Sequence, residues 1–301
     1  GKQVNIHVFE CGPRDGWQNL KQLLPIEEKK RIIDGLVDAG VKLLEATSFV
    51  SPKAIPQMAD AAELARYVLA AHPDITTYAL VPNYRGVQDA WNAGVRHLTY
   101  VISVSESHNK ANINRTHEQS LEELSRIYAD FPEADLCVEL ATVFGCPFEG
   151  IPEISKVVDF VARIYALGCR SICLADTIGI ADPRQVRRTI AALQAAFPGV
   201  AWQVHIHDTR GMGMVNTLAA IESGITTVQS TLGGLGGCPF APGASGNTAT
   251  EDLVYMLQRM GYETGIDFDK LLALSKYQHA HVDGIYSGHQ LHVQTNNTCC
   301  L

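Results

Sequence analysis

Eight times along the chain a short run of β-branched and apolar residues gives way to a longer stretch of helical period, with no helix-only or strand-only block in between. The runs fall at residues 4–10, 42–47, 76–81, 97–104, 136–143, 171–175, 202–207 and 226–231. Helices are expected at 26–39, 56–71, 84–93, 118–130, 153–167, 183–196, 212–223 and 249–260. The first helix carries its own punctuation: Pro25 and the acidic pair Glu27 and Glu28 open it, and Gly40 closes it. A strand–helix–strand order makes neighbouring strands parallel, because each crossover returns the chain to the same end of the sheet. Eight such units favour an α/β fold closed as a (β/α)8 TIM barrel over an open sheet. No GxGxxG turn opens a helix after the first run, as a dinucleotide-binding sheet would have.

The 301 residues suit one such barrel. No linker, low-complexity segment or charge block marks a boundary, so a single catalytic domain over 1–301 is expected. Its tail, about 275–301, is polar, holds four histidines and fits no ninth unit; it reads as a short C-terminal extension. The net charge of −8 argues against nucleic acid or an anionic membrane as the main partner, while leaving room for a local basic rim. No apolar run reaches the roughly 18 residues of a membrane-spanning helix. The first five residues have neither a signal nor a transit character. Eight scattered cysteines form no CxxC pair and no disulfide framework. They read as reduced thiols of a cytoplasmic compartment, with an organelle matrix left open.

Chemistry in such a barrel collects at the C-terminal ends of the strands. The first run ends in Glu10-Cys11-Gly12-Pro13-Arg14-Asp15-Gly16, presenting a cation beside a carboxylate; alone, that is as readily a surface ion pair. The seventh ends in His205-Ile206-His207. Alternate strand residues share a face, so the two imidazoles project together, as half of a metal site or as hydrogen-bonded core histidines. After the eighth run, residues 233–247 hold six glycines and the thiol of Cys238, and end on Asn247. A loop this long in a compact domain is usually a lid or a binding loop. Glu45 and Asp176 close the second and sixth runs, either as active-site carboxylates or as caps of the next helix. Asp15, His205, His207 and Asn247 together offer two nitrogens and two oxygens. That mixed set suits Mg2+ or Mn2+ better than Zn2+.

At these residues the sequence resembles the hydroxymethylglutaryl-CoA lyase family, within the larger group of barrel metal lyases and Claisen-type condensing enzymes. The most specific piece is Gly233-Gly-Leu-Gly-Gly-Cys-Pro-Phe-Ala-Pro-Gly-Ala-Ser-Gly-Asn247, supported by Gly12-Pro-Arg-Asp-Gly16, Asp176-Thr-Ile-Gly179 and His205-Ile-His-Asp-Thr209. The resemblance implies metal ligands at Asp15, His205, His207 and Asn247, and catalytic roles for Arg14, Asp15, Glu45, Asp176, His205 and Cys238. It implies substrate contacts at Arg14, Gln18, Ser48 and Asn112. The implied reaction, a step of leucine catabolism, is the retro-Claisen cleavage of 3-hydroxy-3-methylglutaryl-CoA to acetyl-CoA and acetoacetate. It needs a divalent metal (Mg2+ or Mn2+), with coenzyme A as part of the substrate, and a homo-oligomer (dimer or tetramer) is expected.

The chain departs from the family pattern at Trp17 and Leu20 (usually Leu and Glu), at Arg210 and Met212 (usually Tyr and Gln), and at Gln229 (usually Asp). Trp17, two residues beyond Asp15, is expected to narrow the acyl pocket. These departures keep open the same chemistry on citramalyl-CoA or a longer branched hydroxyglutaryl-CoA. A condensing enzyme related to isopropylmalate or citramalate synthases, and an acyl-CoA-binding barrel without activity, are the other readings.

Overall fold

The structure, a computed structural model, describes residues 4–236 and 246–294. Eight parallel strands close into a barrel in chain order: β1 (His7–Glu10), β2 (Leu43–Ser48), β3 (Thr76–Val81), β4 (His97–Ser103), β5 (Asp135–Ala141), β6 (Ser171–Asp176), β7 (Ala201–Ile206) and β8 (Thr227–Ser230). The (β/α)8 expectation therefore holds. Around it run α1 (Ile26–Asp38), α2 (Ala61–Ala71), α3 (Tyr84–Asn92), α4 (Glu106–Ile113), α5 (His117–Asp130), α6 (Ile154–Ala166), α7 (Pro183–Ala196), α8 (Gly213–Glu222), α9 (Thr250–Arg259) and α10 (Phe268–His281).

The space between barrel and helices is apolar: Ile33, Leu36, Leu44, Val81, Leu98, Val138, Ile172 and Val228 are fully buried in one continuous cluster. The inside of the barrel is different. Strand pairing sets Val101, Glu139, Cys173 and Gln203 in one inward row, and Ala175, His205, Gln229, Phe9 and Leu43 in the next. Barrel interiors are ordinarily filled by branched apolar residues. Here acids and amides take those places, and such groups are stable in a core only when each finds a partner. A register shift between Glu45 and Thr47 inserts one residue into β2. It pairs Ser48 with Leu80 and so turns Ser48 inward, where plain alternation from Glu45 would have sent it out.

Two helices escaped the periodicity reading. In α4, Ser105 caps the start by accepting from His108 N at 3.1 Å, but the segment ESHNKANI has no apolar stripe to betray it. α10 begins at Asp267, which accepts from Lys270 N at 3.1 Å. It packs on α1, where a Cβ on Gly35 would stand 2.7 Å from Leu274 Cδ1, so the glycine permits the approach. The stretch read as an extension from about 275 thus begins inside this helix. Ser275 and Gln278 are buried in the second half of α10, and the residues beyond that helix form a strap. Its Leu235–Tyr286 bridge, the Gly288 N–Gly233 O bond (3.0 Å) and the Ser287 hydroxyl, donated to Asn247 O at 2.5 Å, fasten both stems of the glycine-rich loop. The stems themselves touch. A Cβ on Gly246 would fall 1.8 Å from Gly236 O, so no other residue fits there.

Candidate metal centre and active site

The C-terminal mouth of the barrel opens on a cavity of about 230 Å³. Arg14, Asp15, Gln18, Ser48, Asn112, Glu139, Thr177, His205 and His207 are among the residues that line it. Every expected substrate contact is in that set. The Ser48 hydroxyl, buried and without a hydrogen-bond partner among the described residues, is a polar group left over for a ligand.

Asp15, His205 and His207 each offer a ligand atom, all within 4.8 Å of one another. Asn247 joins them: it bridges to His207 across the strand end, and its Oδ1 lies 2.9 Å from His205 Nε2. Gln229 fixes the imidazole. Its Oε1 faces His205 Nδ1 at 2.8 Å, while its Nε2 donates to Gln203 Oε1 at 3.0 Å. With the proton on Nδ1, the Nε2 lone pair faces Asn247 Oδ1 and Asp15 Oδ2, the latter at 3.1 Å. One acceptor set against two others is repulsive unless a positive charge lies among them. The cluster is therefore built around a cation, either a second proton on His205 or a metal ion.

The electrostatics agree. Burial would raise the Asp15 carboxyl, but Arg14 and then the two histidines outweigh it and hold the group well below the usual carboxylate range. Burial also opposes charge on His205, yet the Asp15 hydrogen bond and charge, with Glu139 behind, lift it to about 9. His207 goes the other way, pushed down to about 4 by burial and by the charge of His205. It stands neutral at physiological pH, with a lone pair to offer a metal. The mixed nitrogen and oxygen donors fit a six-coordinate divalent ion completed by further oxygens.

Arg14 lies on the short π-helical turn Gly12–Gly16, buried, with three carboxylates around it. Its Nε donates to Glu45, its Nη1 to Asp15 at 3.3 Å and its Nη2 to Glu139 at 3.4 Å. Glu45 also accepts from Thr99 Oγ1 at 2.6 Å and does not line the cavity. Its carboxylate holds the Arg14 guanidinium from β2.

Two of the expected residues stand apart from the cavity. Asp176 was expected in the site, but it pairs in register with Ile206, on the outward face. It accepts from Ile180 N (3.1 Å) and Ala181 N (3.0 Å), and so holds the β6–α7 turn that carries Thr177. Trp17 was expected to narrow the acyl pocket. It is buried away from the cavity and donates through Nε1 to Gln278 of α10 at 3.1 Å. Arg210 donates to Ile178 O at 2.7 Å and braces the same β6–α7 turn. Cys238 lies outside the described residues. The sequence reading missed Glu139, although it is the one acid in the apolar stretch 136–143 and alternates with Cys137 and Ala141.

A closed barrel with a cation site at the C-terminal mouth, flanked by a buried arginine, defines a metal-site (β/α)8 protein fitted to an anionic or carbonyl-bearing ligand. The sequence places it more narrowly. The HMGL-like family model matches residues 5–277, and the chain belongs to that family. It is 42% identical over 278 residues to the mitochondrial hydroxymethylglutaryl-CoA lyase of Macaca fascicularis, covering 92% of this chain and 85% of that protein. It is 41% identical to a hydroxymethylglutaryl-CoA lyase of Bacillus subtilis, covering 90% of this chain and 91% of the other. Among solved structures it is similar to an HMG-CoA lyase from Acinetobacter baumannii in complex with coenzyme A and 3-methylmalate. That match has a TM-score of 0.91 at 38% identity, covering 98% of this chain and 96% of the other.

Proposed function

We propose that this chain is a divalent-metal-dependent lyase that cleaves 3-hydroxy-3-methylglutaryl-CoA to acetyl-CoA and acetoacetate. The observation that carries the reading is the convergence of Arg14, Asp15, His205 and His207 on one cavity, with Asn247 against His205, in a chain about two-fifths identical to lyases of that name. The cavity is small, so only the acyl end of a CoA thioester enters it and the remainder lies across the rim. The exposed Lys21 and Lys53, in loops, and Lys110, on α4, belong to three segments that contribute lining residues, and they suit the phosphates of such a molecule.

Asp15, His205, His207 and Asn247 would hold the ion, which when bound supplies a Lewis acid for the substrate's hydroxyl and distal carboxylate. Asp15 and His205, in hydrogen-bond contact with each other, are placed to take the proton from the C3 hydroxyl. As it leaves, the C2–C3 bond breaks, C3 becomes the ketone of acetoacetate, and the electron pair enters the thioester enolate. Arg14, held by Glu45, opposes the charge that grows on the thioester oxygen. Ser48, Gln18 and Asn112 orient the acyl group. Cys238 is assigned to closing the site and protonating the enolate, which yields acetyl-CoA.

The whole chain is read as a single catalytic domain, acting as a homo-oligomer in a cytoplasmic compartment. The buried free thiols of Cys11, Cys137, Cys146, Cys169 and Cys173 support a reducing environment. Among the described residues no helix is long and apolar enough to cross a membrane. The purified protein, given Mg2+ or Mn2+ and a panel of CoA thioesters, tests the function by mass spectrometry of acetyl-CoA. The highest kcat/KM is expected for the 3-hydroxy-3-methylglutaryl thioester. A preference for citramalyl-CoA or a longer branched hydroxyglutaryl-CoA, or no acetyl-CoA from any of them, would overturn it.

A further inference from the structure

Glu139 stands on the inward face of β5, in register with Val101 and Cys173 and with its carboxylate at the cavity wall. Glu10, Asp176 and Glu251 are clamped by neutral donors, Glu10 by Gly12 N, Leu232 N and Thr250, Asp176 by Ile180 N and Ala181 N, Glu251 by Gly233 N and Ser275, and Glu45 adds the neutral donor Thr99 to its bond from Arg14. Among the described residues the hydrogen bond and ion pairs of Glu139 go only to Arg14 Nη2, at 3.4 Å, and to His205 Nδ1, at 3.8 Å. A buried carboxylate persists only where its charge is compensated. That of Glu139 is compensated by two groups of the site itself.

His205 gives the second half of the argument. A metal-bound histidine gains basicity and a fixed orientation from the acceptor behind its other nitrogen, commonly a carboxylate. In this chain the nearest acceptor, Gln229 Oε1 at 2.8 Å, is a neutral amide. Glu139 is the one carboxylate of the described residues within 4 Å of that nitrogen. We propose that Glu139 is a positioning residue for the metal centre: it supplies from β5 the negative charge behind His205 that the amide of Gln229 does not, and ties Arg14 to the same ligand shell. The inference rests on the reading that Asp15, His205, His207 and Asn247 hold a divalent ion.

The test is Mn2+ binding by the purified protein without substrate, followed through the electron paramagnetic resonance of free Mn2+. Wild-type protein that binds no Mn2+ would overturn the metal reading itself, before any variant is considered. Given that binding, E139Q keeps the shape of the side chain and removes its charge. Its Mn2+ affinity is expected to fall about 10–100-fold, with no loss of Tm in the metal-free protein. Adding Q229E, which returns a carboxylate to the same imidazole nitrogen from β8, is expected to restore most of the affinity. Unchanged Mn2+ affinity in E139Q, or a loss that a folded E139Q/Q229E protein does not recover, would overturn the proposal. Should the double variant not fold, E139D decides. An affinity between those of wild type and E139Q supports the charge argument, and one no better than E139Q contradicts it.

Discussion

β6 and β7 lie side by side in the barrel wall, and both end in residues that look catalytic. Their register separates them: His205 pairs with Ala175, and Ile206 pairs with Asp176. On β7 the polar residues occupy the inward positions and meet Asp15 and Asn247. On β6 the acid falls on the outward position and is spent on two backbone amides. The parity of a residue along its strand therefore decides its chemistry here, more than its place at the strand's end. The same rule divides the other acids. Glu45 and Glu139 face in and meet Arg14, whereas Glu10, one residue from the inward Phe9, faces out and ties Leu232 to Thr250.

Breaking the inward side should cost the most. His207→Ala removes a ligand of the proposed ion, and both Mn2+ binding and turnover are expected to be lost while the fold, read by Tm, survives. Retention of full Mn2+ affinity would place the ion elsewhere. Arg14→Gln comes next, with kcat down about 10^3-fold and acyl-CoA affinity nearly kept, because charge on the thioester oxygen grows only toward the transition state. A rise in KM at unchanged kcat would make Arg14 a binding residue only.

On the outward side the losses should be of stability. Asp176→Ala leaves two amides unpaired under the β6–α7 turn and is expected to cost about 1–3 kcal/mol in chemical denaturation. Its turnover should stay well above that of His207→Ala, and equal losses in the two variants would erase the distinction between the strands. The smallest effect concerns pH. Burial lifts Glu10 and Glu251 from their ordinary 4.5 to about 7. Stability from a carboxyl raised on folding is complete below 4.5 and is lost as pH climbs through about 7. Glu251→Gln should therefore lose less Tm than the wild type between pH 5 and pH 8. Parallel curves would show that Glu251 does not titrate in that window.

Much of this was legible in the sequence. The βα alternation announced the barrel, and the HxH spacing on β7 announced two imidazoles on one face, because period two is a property of any strand. The outward position of Asp176 was not legible for want of register. A strand written as a sequence has two faces, and only its neighbours say which is inside. Ser48 illustrates the same limit, since the shift after Glu45 reverses the parity of the rest of β2. Trp17 and the strap beyond α10 were opaque for another reason. Their partners, Gln278 for the indole and Asn247 for Ser287, are distant in sequence, at 261 and 40 residues, and no local pattern encodes such contacts.

The central claim is that an ion held by Asp15, His205, His207 and Asn247 makes this barrel a lyase. Its most direct test is to strip the purified protein with excess EDTA, verify the loss of metal by elemental analysis, and follow acetyl-CoA release from 3-hydroxy-3-methylglutaryl-CoA. Turnover is expected to vanish and to return when Mg2+ or Mn2+ is added in excess of the chelator. Full turnover by metal-free protein in EDTA would contradict the account.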